Sequence, residues 1–345
     1  MSLLEIKGLT TEFQTEQGVV RAIRGIDYKV EKGEVLGIVG ESGSGKSVGM
    51  LSMMGLLAPN GTVTDGEIIF DGQDISPVKY KTKKEKREYE AKMNQIRGND
   101  ISMIFQDPMS YLNPIVTIEK QMTEGILYHK KCSKKEAVKR AIELMEMVGI
   151  PAPETRLKQY PFEFSGGMRQ RIIIAIALAC NPKLIIADEP TTALDVTVQA
   201  QILDLLRDIT EKTDAGVIII THDLGVVASL CDRISIMYGG NIMEEGKTDE
   251  IFYQPKHPYT KGLLNSIANS NIDHREPLKP IPGTPPDLLK IGDECPFASR
   301  CSEAMEICTK HAPLNTEFSE THKCKCWLHC KDRWREVVKG EDADE

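Results

Sequence analysis

Apolar and polar residues alternate along two stretches near the start of the chain, LLEIKGLTTEF and VVRAIRGIDYKV, and glycines interrupt both. A period of two is typical of a half-buried strand, and glycine marks breaks, so residues 1 to about 75 are predicted to form short strands and turns. The continuous apolar run EVLGIVG predicts a buried strand, and KSVGMLSMMGLL after it has helical spacing. GEIIFDG is predicted to be another short strand, closed by glycine.

Further along, helical patterns alternate with buried strands. Residues 79–97 predict a charged, solvated helix, and residues 117–149 predict two helices. The apolar run LIIAD predicts a strand, TVQAQILDLLRDITEK a helix and GVIIITHD another strand. Strand, helix and strand in this order predict a parallel sheet with crossover connections. After about residue 254 the chain becomes proline-rich, and no further buried strand is predicted there.

Composition narrows the class of protein. The chain has 345 residues, 41% hydrophobic and 27% charged, which is ordinary for a globular protein. A net charge of −8 argues against a general nucleic-acid binder. The most apolar run, IIIAIALAC, is too short to span a bilayer, and the N-terminus shows no signal peptide. We therefore expect a cytoplasmic location, where thiols stay reduced.

The stretch GESGSGKS, residues 40–47, matches the phosphate-loop pattern G-x-x-x-x-G-K-[ST] between a predicted strand and a predicted helix. Gly40, Gly43 and Gly45 allow the backbone to turn its N–H groups toward phosphate oxygens. The helix that follows adds the positive end of its dipole. Lys46 supplies a point charge, and the Ser47 hydroxyl suits Mg²⁺. The sequence therefore predicts a nucleotide phosphate site.

Two further motifs point to hydrolysis and to a second subunit. In KLIIADEP, Asp188 comes at the carboxyl end of a buried strand and is predicted to hold Mg²⁺ mainly through water. Glu189 beside it is placed to polarise an attacking water. FSGGMRQR, residues 164–171, predicts a second anion-binding helix start. Because one phosphate loop already covers one triphosphate, this second start is expected to serve a nucleotide held by another chain.

With these motifs in order, the first 250 residues or so resemble the ATP-binding cassette (ABC) ATPases. GESGSGKS is similar to the Walker A loop, MIFQDP to the Q-loop, FSGGMRQR to the signature, LIIADEP to Walker B, TTALD to the D-loop and IIITHD to the switch. The resemblance implies an α/β P-loop fold with a mixed sheet core, an antiparallel β subdomain and a helical subdomain at about 110–165. It also implies a head-to-tail pair of subunits that sandwich each ATP.

The resemblance carries roles onto individual residues. It assigns catalysis to Glu189, His222 and Gln106, and Mg²⁺ binding to Ser47, Gln106 and Asp188. One departure is Met168, where the wider family usually has glutamine. Contacts to the partner's nucleotide would come from Ser165, Gly166, Gly167 and Asp195. Contacts to the chain's own ATP would come from Phe13 on the adenine and from Gly40, Ser42, Gly43, Ser44, Gly45, Lys46, Ser47 and Val48.

The tail narrows the resemblance. HPYTKGLLNSI, PIPGTPPDLL and CPFASRC are similar to the C-terminal region of ATP-binding subunits of oligopeptide and dipeptide importers. We expect an ABC ATPase domain at 1–255 and a cysteine-bearing extension at 256–345. The implied partners are a second, homologous ATPase subunit, two membrane permeases and an extracellular binding protein, with this chain on the cytoplasmic face of the plasma membrane. Nickel, oligosaccharides or glutathione as cargo, and a non-transport role, are the alternatives.

Six of the nine cysteines lie in this tail. Their spacing lacks the paired C-x₂₋₄-C units of most structural zinc sites, and four thiolates suit an iron–sulfur cluster. The resemblance implies a [4Fe–4S] cluster on Cys295, Cys301, Cys308 and Cys326, with a structural role. Zn²⁺ remains the alternative cofactor, and Cys324 or Cys330 an alternative ligand. Cys132, Cys180 and Cys231 are expected to be ordinary buried or surface residues.

Overall fold

The structure, a computed structural model, describes residues 2–105, 111–192, 195–266, 280–333 and 337. The strands are β1 (Leu4–Thr15), β2 (Gly18–Val30), β3 (Val35–Val39), β4 (Gly61–Phe70), β5 (Gln73–Asp74), β6 (Ile101–Ile104), β7 (Leu184–Asp188), β8 (Gly216–Thr221), β9 (Arg233–Tyr238), β10 (Asn241–Lys247), β11 (Asn315–Glu317) and β12 (Lys323–Lys325). The helices are α1 (Lys46–Met54), α2 (Lys83–Ile96), α3 (Ile118–His129), α4 (Lys134–Met147), α5 (Pro153–Arg156), α6 (Gly166–Ala177), α7 (Val196–Lys212), α8 (Leu224–Leu230), α9 (Thr248–Tyr253) and α10 (Pro258–Asn265). None of the described helices is both long and apolar enough to cross a membrane.

The chain divides into two compact units, each assembled from separate segments of sequence. The first comprises Met1–Glu5, Lys29–Leu36 and Ile69–Thr221, and the second comprises Ile6–Tyr28, Gly37–Ile68 and His222–Glu345. The divisions fall inside β1, β2, β3 and β4 and directly after β8.

The first unit contains strands in the order β3, β8, β7, β6, and its part of β3 is Val35 and Leu36. Strands β8, β7 and β6 pair in parallel. Leu184 of β7 lies opposite Ile101 of β6 and Gly216 of β8, which fixes the register. Every residue of β7 and β8 is buried, as expected for parallel strands covered on both faces. Helices α3, α4 and α6 pack on one another, and α6 also packs on β6. Because β7 is fully buried, Asp188 at its carboxyl end has a fixed position.

The second unit contains strands in the order β11, β12, β10, β9 and the remainder of β3. Pairing is antiparallel between β9 and β10, between β10 and β12 and between β12 and β11. The tail thus adds two strands, with Cys324 of β12 opposite Glu244 of β10. The rings of Tyr238, Tyr259 and Phe297 pack with centroids 4.6 to 5.3 Å apart, so the tail also contributes to the core of this unit.

Most predicted elements are confirmed, and one prediction is wrong. The N-terminal strands are long, with 12 residues in β1 and 13 in β2, because Gly8 and Gly25 adopt positive φ values of 59° and 70° without ending them. The tail forms two short strands that the sequence did not predict; neither is buried along its length, although Cys324 of β12 is 1% exposed. A strand of three residues is too short to show an alternating pattern, so its partner β10 determines where it forms.

Candidate nucleotide-binding site

The glycine-rich loop of residues 40–47 connects β3 to α1 in the second unit. Gly43 and Gly45 have φ values of 78° and 103°, which side-chain-bearing residues rarely adopt. Gly40 is required for a different reason, because a Cβ atom there would lie 2.1 Å from the carbonyl oxygen of Met237. The loop therefore makes a sharp turn held closely against β9.

Lys46 is the first residue of α1, and its side chain folds back over the loop. Its Nζ donates to the carbonyl oxygens of Gly40, at 2.7 Å, and Glu41, at 3.0 Å. Ser44, Gly45 and Lys46 are buried, Ser47 and Val48 are half-buried, and Ser42 and Gly43 are exposed. The structure thus brings the predicted phosphate-binding residues together in one turn. Lys46 donates its hydrogen bonds to the backbone of this same turn.

Phe13 lies near the end of β1 and is half-buried. A Cβ atom at Gly61 would lie 2.6 Å from Cε1 of Phe13, so the ring packs directly against that glycine. Part of the residue remains exposed, and an aromatic ring can stack on a planar ligand. The placement is compatible with the predicted contact to adenine.

Asp188 and Glu189 belong to the first unit, where β7 ends. Asp188 is 6% exposed. Glu189 has a φ of 46°, and its N–H donates to the carbonyl oxygen of Ile220 at 2.8 Å. Its carboxylate accepts a hydrogen bond from the Thr192 hydroxyl at 2.9 Å. The Ile220 contact holds the strained backbone of Glu189, and the Thr192 hydroxyl holds its carboxylate, so the side chain has a defined direction.

The signature motif lies where α6 begins, also in the first unit. Ser165 caps this helix, and its side chain accepts from the N–H of Met168 at 3.4 Å. Gly166 and Gly167 form the first turn, where helix N–H groups lack partners within the helix. Met168 therefore takes part through its backbone, so the change from glutamine leaves the cap in place.

The other residues predicted to act at the site lie on different elements of the fold. Asp195 is exposed and caps α7 by accepting from the N–H of Val198 at 3.0 Å. His222 is exposed and directly follows β8. Asp223 beside it caps α8. Gln106 lies outside the described residues.

Part of the tail contacts the phosphate loop, and no sequence pattern predicted this contact. Arg300 forms a two-pronged ion pair with Glu41, with N–O distances of 2.6 and 3.1 Å. The hydroxyl of Tyr259 accepts from the N–H of Glu41 at 3.0 Å. These residues are far apart in sequence, and only the position of Arg300 between two cysteines of CPFASRC could have drawn attention to it.

The tail cysteines are free thiols, as are all nine in the chain. Burial raises the pKa of Cys295 to about 12 and that of Cys326 to about 11. The charges of Cys308, Cys326 and Cys301 also raise the pKa of Cys295, so these four thiols share one region. Across the described residues, however, no three His, Cys, Asp or Glu side chains form a group that could hold a metal ion.

A glycine-rich loop between a buried strand and a helix, with a carboxylate ending another buried strand, defines a P-loop nucleotide-binding ATPase. Comparison with known families refines this class. The ABC transporter family matches residues 23–192, and the family described as the oligopeptide/dipeptide transporter C-terminal region matches residues 243–308.

Relatives of nearly full length agree. The chain is 50% identical to the dipeptide transport ATP-binding protein DppD of Bacillus subtilis, over 99% of both chains. It is 53% identical to the oligopeptide transport ATP-binding protein OppD of the same organism, over 94% of this chain and 88% of that one. The chain therefore belongs to the family of ATP-binding proteins of dipeptide and oligopeptide ABC transporters, and it is an ABC-type ATPase.

Solved structures give the same fold. A dimeric ATP-binding cassette, MJ0796, in a post-hydrolysis state with ADP and phosphate, superimposes with a TM-score of 0.60 at 28% identity. The match covers 71% of this chain and 98% of that one. The sequence prediction of a P-loop ABC fold with a mixed sheet is confirmed at this level.

Proposed function

We propose that the chain is the ATP-hydrolysing subunit of an importer, and that it couples ATP binding and hydrolysis to uptake of dipeptides and oligopeptides. The observation that carries the proposal is the similarity over nearly the whole length to proteins named for dipeptide and oligopeptide transport, tail included. The chain then works from the cytoplasmic face of the plasma membrane with two permeases, an extracellular binding protein and a second, homologous ATPase subunit. The homologous subunit makes the ATPase pair a heterodimer.

In this proposal the residues of the second unit bind the nucleotide. Residues 40–48 hold the phosphates, with Lys46 exchanging its contacts to the loop carbonyls for phosphate oxygens. Phe13 stacks on the adenine, and the Ser47 hydroxyl contributes to Mg²⁺ binding. The donors at the start of α1 are oriented by the turn before ATP arrives, which reduces the cost of ordering the site on binding.

Other residues act on the reaction. Asp188 contributes to Mg²⁺ binding, and Glu189 aligns the attacking water, a role supported by its fixed direction. Gln106 senses Mg²⁺ and the attacking water and links the site to the permeases. His222 contacts the γ-phosphate and helps to keep the water and Glu189 aligned. Ser165, Gly166, Gly167 and Asp195 contact the nucleotide of the partner subunit, as the N–H groups at the start of α6 suit an anion.

The domain organisation also stays a proposal: an ABC ATPase domain at 1–255, with its helical subdomain at about 110–165, and a cysteine-bearing extension at 256–345. Supporting it, the described part of this extension holds a helix of eight residues, α10, and beyond it the short strands β11 and β12 with 3₁₀ turns.

A [4Fe–4S] cluster on Cys295, Cys301, Cys308 and Cys326 is proposed on the chemistry of the donors, with Zn²⁺ as the alternative. The charges of neighbouring cysteines help raise the pKa of Cys295 and Cys326, and a bound cation would offset the cost of ionising such thiols. The described side chains do not form a ready group for a metal. The proposal therefore makes no use of a cluster in the reaction.

The metal content distinguishes these alternatives. The full chain purified without oxygen is analysed for iron, sulfide and zinc, beside the variants Cys295→Ser and Cys132→Ser. Iron and sulfide near four each per chain, lost in Cys295→Ser and kept in Cys132→Ser, support the cluster. Zinc in their place supports the alternative, and the absence of all three refutes a metal in the tail.

The cargo is tested by uptake in the source organism. A strain that lacks this chain is compared with strains expressing the wild type or Lys46→Ala. Uptake of labelled di- and oligopeptides should be lost and should return with the wild type only. Normal peptide uptake in the deletion strain, together with a defect for nickel, oligosaccharide or glutathione, would refute the peptide assignment.

A further inference from the structure

We propose that Arg300, in the tail, is a positioning residue for the phosphate loop: through Glu41 it sets the loop conformation that binds ATP. The inference rests on the proposed function only for the assignment of residues 40–47 to ATP. It does not depend on what the neighbouring cysteines bind.

The contact between the two residues is an ion pair with two parallel hydrogen bonds. Arg300 Nη1 donates to Glu41 Oε2 at 2.6 Å, and Nη2 donates to Oε1 at 3.1 Å. The exposed fractions of the two side chains are 5% and 26%. Such a pair fixes orientation as well as distance, because the planar guanidinium matches the plane of the carboxylate. Hydrogen bonding to Glu41 is also the main cause that raises the pKa of Arg300.

The guanidinium is itself held on every side. Nε of Arg300 donates to the carbonyl oxygen of Pro282 at 2.8 Å, and Nη2 also reaches that of Ile281 at 3.3 Å. Nη1 also donates to the hydroxyl of Tyr238 at 3.1 Å. An arginine has five N–H donors, and here five contacts to the tail, to β9 and to Glu41 engage all three of its nitrogens. Arg300 is therefore a rigid support rather than a mobile surface charge.

Glu41 passes this support to the rest of the loop. Its N–H donates to the hydroxyl of the buried Tyr259 at 3.0 Å. Its carbonyl oxygen accepts from Lys46 Nζ at 3.0 Å, beside the bond from Lys46 to Gly40. A short chain of contacts thus connects Arg300, through one residue, to the lysine predicted to bind phosphate.

Weakening the pair should act on binding more than on chemistry. If Arg300 no longer fixes Glu41, the loop spends part of its time in other conformations. The apparent affinity for ATP then falls in proportion to the fraction of molecules whose loop can still bind ATP. Once ATP is bound, the nucleotide itself orders the loop. The KM for ATP should therefore rise while kcat at saturating ATP stays near that of the wild type.

The experiment compares Arg300→Lys, Glu41→Gln and the double variant with the wild type, by titration of the full chain with ATP and by steady-state hydrolysis in the assembled transporter. Arg233→Lys is the matched control, since the Arg233 side chain is only 9% exposed, pairs with Glu245 and lies at the opposite end of β9 from Tyr238. Thermal unfolding without nucleotide reports on stability.

We expect about tenfold weaker ATP binding for Arg300→Lys, which corresponds to a loop that has the ATP-binding conformation about a tenth of the time. Glu41→Gln should show a similar loss, the double variant no further loss, and Arg233→Lys none. Unchanged ATP affinity in Arg300→Lys overturns the inference, whether or not the unfolding temperature falls. An equal loss in Arg233→Lys, or losses that simply add in the double variant, also overturns it. Failure of the wild type to bind ATP, or full binding by Lys46→Ala, would instead overturn the proposed function.

Discussion

Nε2 of His322 lies 2.7 Å from Oε1 of Glu244, and the two side chains are 3% and 0% exposed. The same carboxylate accepts the N–H groups of Lys256, at 2.7 Å, and His257, at 2.9 Å. One buried side chain on β10 therefore joins the start of α10 to His322, which directly precedes β12. Its hydrogen bonds satisfy a charged group that would otherwise be costly to bury.

Replacing Glu244 by Gln should lower the free energy of unfolding by about 1–3 kcal/mol. The carboxylate accepts from three donors with its two oxygens, whereas the amide has a single accepting oxygen. Urea unfolding of the full chain measures the change. Glu306→Gln is the control, since Glu306 is an exposed residue that pairs with Lys310 four residues later, and no measurable change is expected there. Equal effects in both variants would contradict the assignment.

His257 should make stability depend on pH. It is 1% exposed, and its Nδ1 accepts from the N–H of Tyr259 at 3.0 Å, which caps α10. Burial, followed by the charges of His329 and Lys261, lowers its pKa from 6.5 to about 3. Below pH 6.5 the unfolded chain binds a proton that the folded chain does not, so the contribution to stability is full above 6.5 and is lost as pH falls toward 3.

The free energy of unfolding should therefore fall by roughly 1.4 kcal/mol per pH unit below 6.5 from this residue alone. Urea unfolding between pH 7 and pH 5 measures it. His257→Asn keeps a side chain able to cap the helix and removes the titration, so its stability should decline less steeply. Identical slopes for the two proteins would show that His257 is not the cause.

Glu189→Gln should retain ATP affinity and reduce hydrolysis at least about a hundredfold, the scale of removing a general base. The amide can still accept from Thr192, and the N–H bond to Ile220 involves only the backbone, so the geometry should persist. Phosphate release by the assembled transporter measures the effect. Glu211→Gln, at an exposed position of α7, should leave the rate unchanged. Wild-type turnover in Glu189→Gln would remove Glu189 from the mechanism.

The two signature glycines should differ in their effect on stability. A Cβ atom at Gly167 would lie 2.7 Å from Cγ1 of Val198, whereas one at Gly166 meets nothing within 4 Å. Val198 is β-branched and cannot easily turn away. Gly167→Ala should thus lower the free energy of unfolding by about 1–3 kcal/mol. Gly166→Ala should change it by less than about 0.5 kcal/mol.

Thermal or urea unfolding of both variants tests this difference, and Val198→Ala combined with Gly167→Ala should recover most of the loss. A Gly167→Ala protein as stable as the wild type, or no recovery in the double variant, would show that the contact does not limit the first turn of α6.

Local patterns in the sequence were sufficient to predict the phosphate loop, the buried strand ending at Asp188 and the helix starting after Ser165. Each depends on a few consecutive residues: glycines for a turn, apolar residues for a buried strand, a serine to cap a helix. The sequence also predicted α2 and α4, and the structure shows that Thr82 and Ser133 begin them with capping boxes to glutamates three residues later.

The sequence by itself thus determined the nucleotide-binding elements and the class of protein. Only the tertiary structure showed that the tail pairs with β10, buries Glu244 with His322 and supports Glu41 through Arg300. These contacts join residues 78 and 259 positions apart. No local period or motif records such a pairing, because its energy comes from burial and hydrogen bonding that exist only once distant segments have folded together.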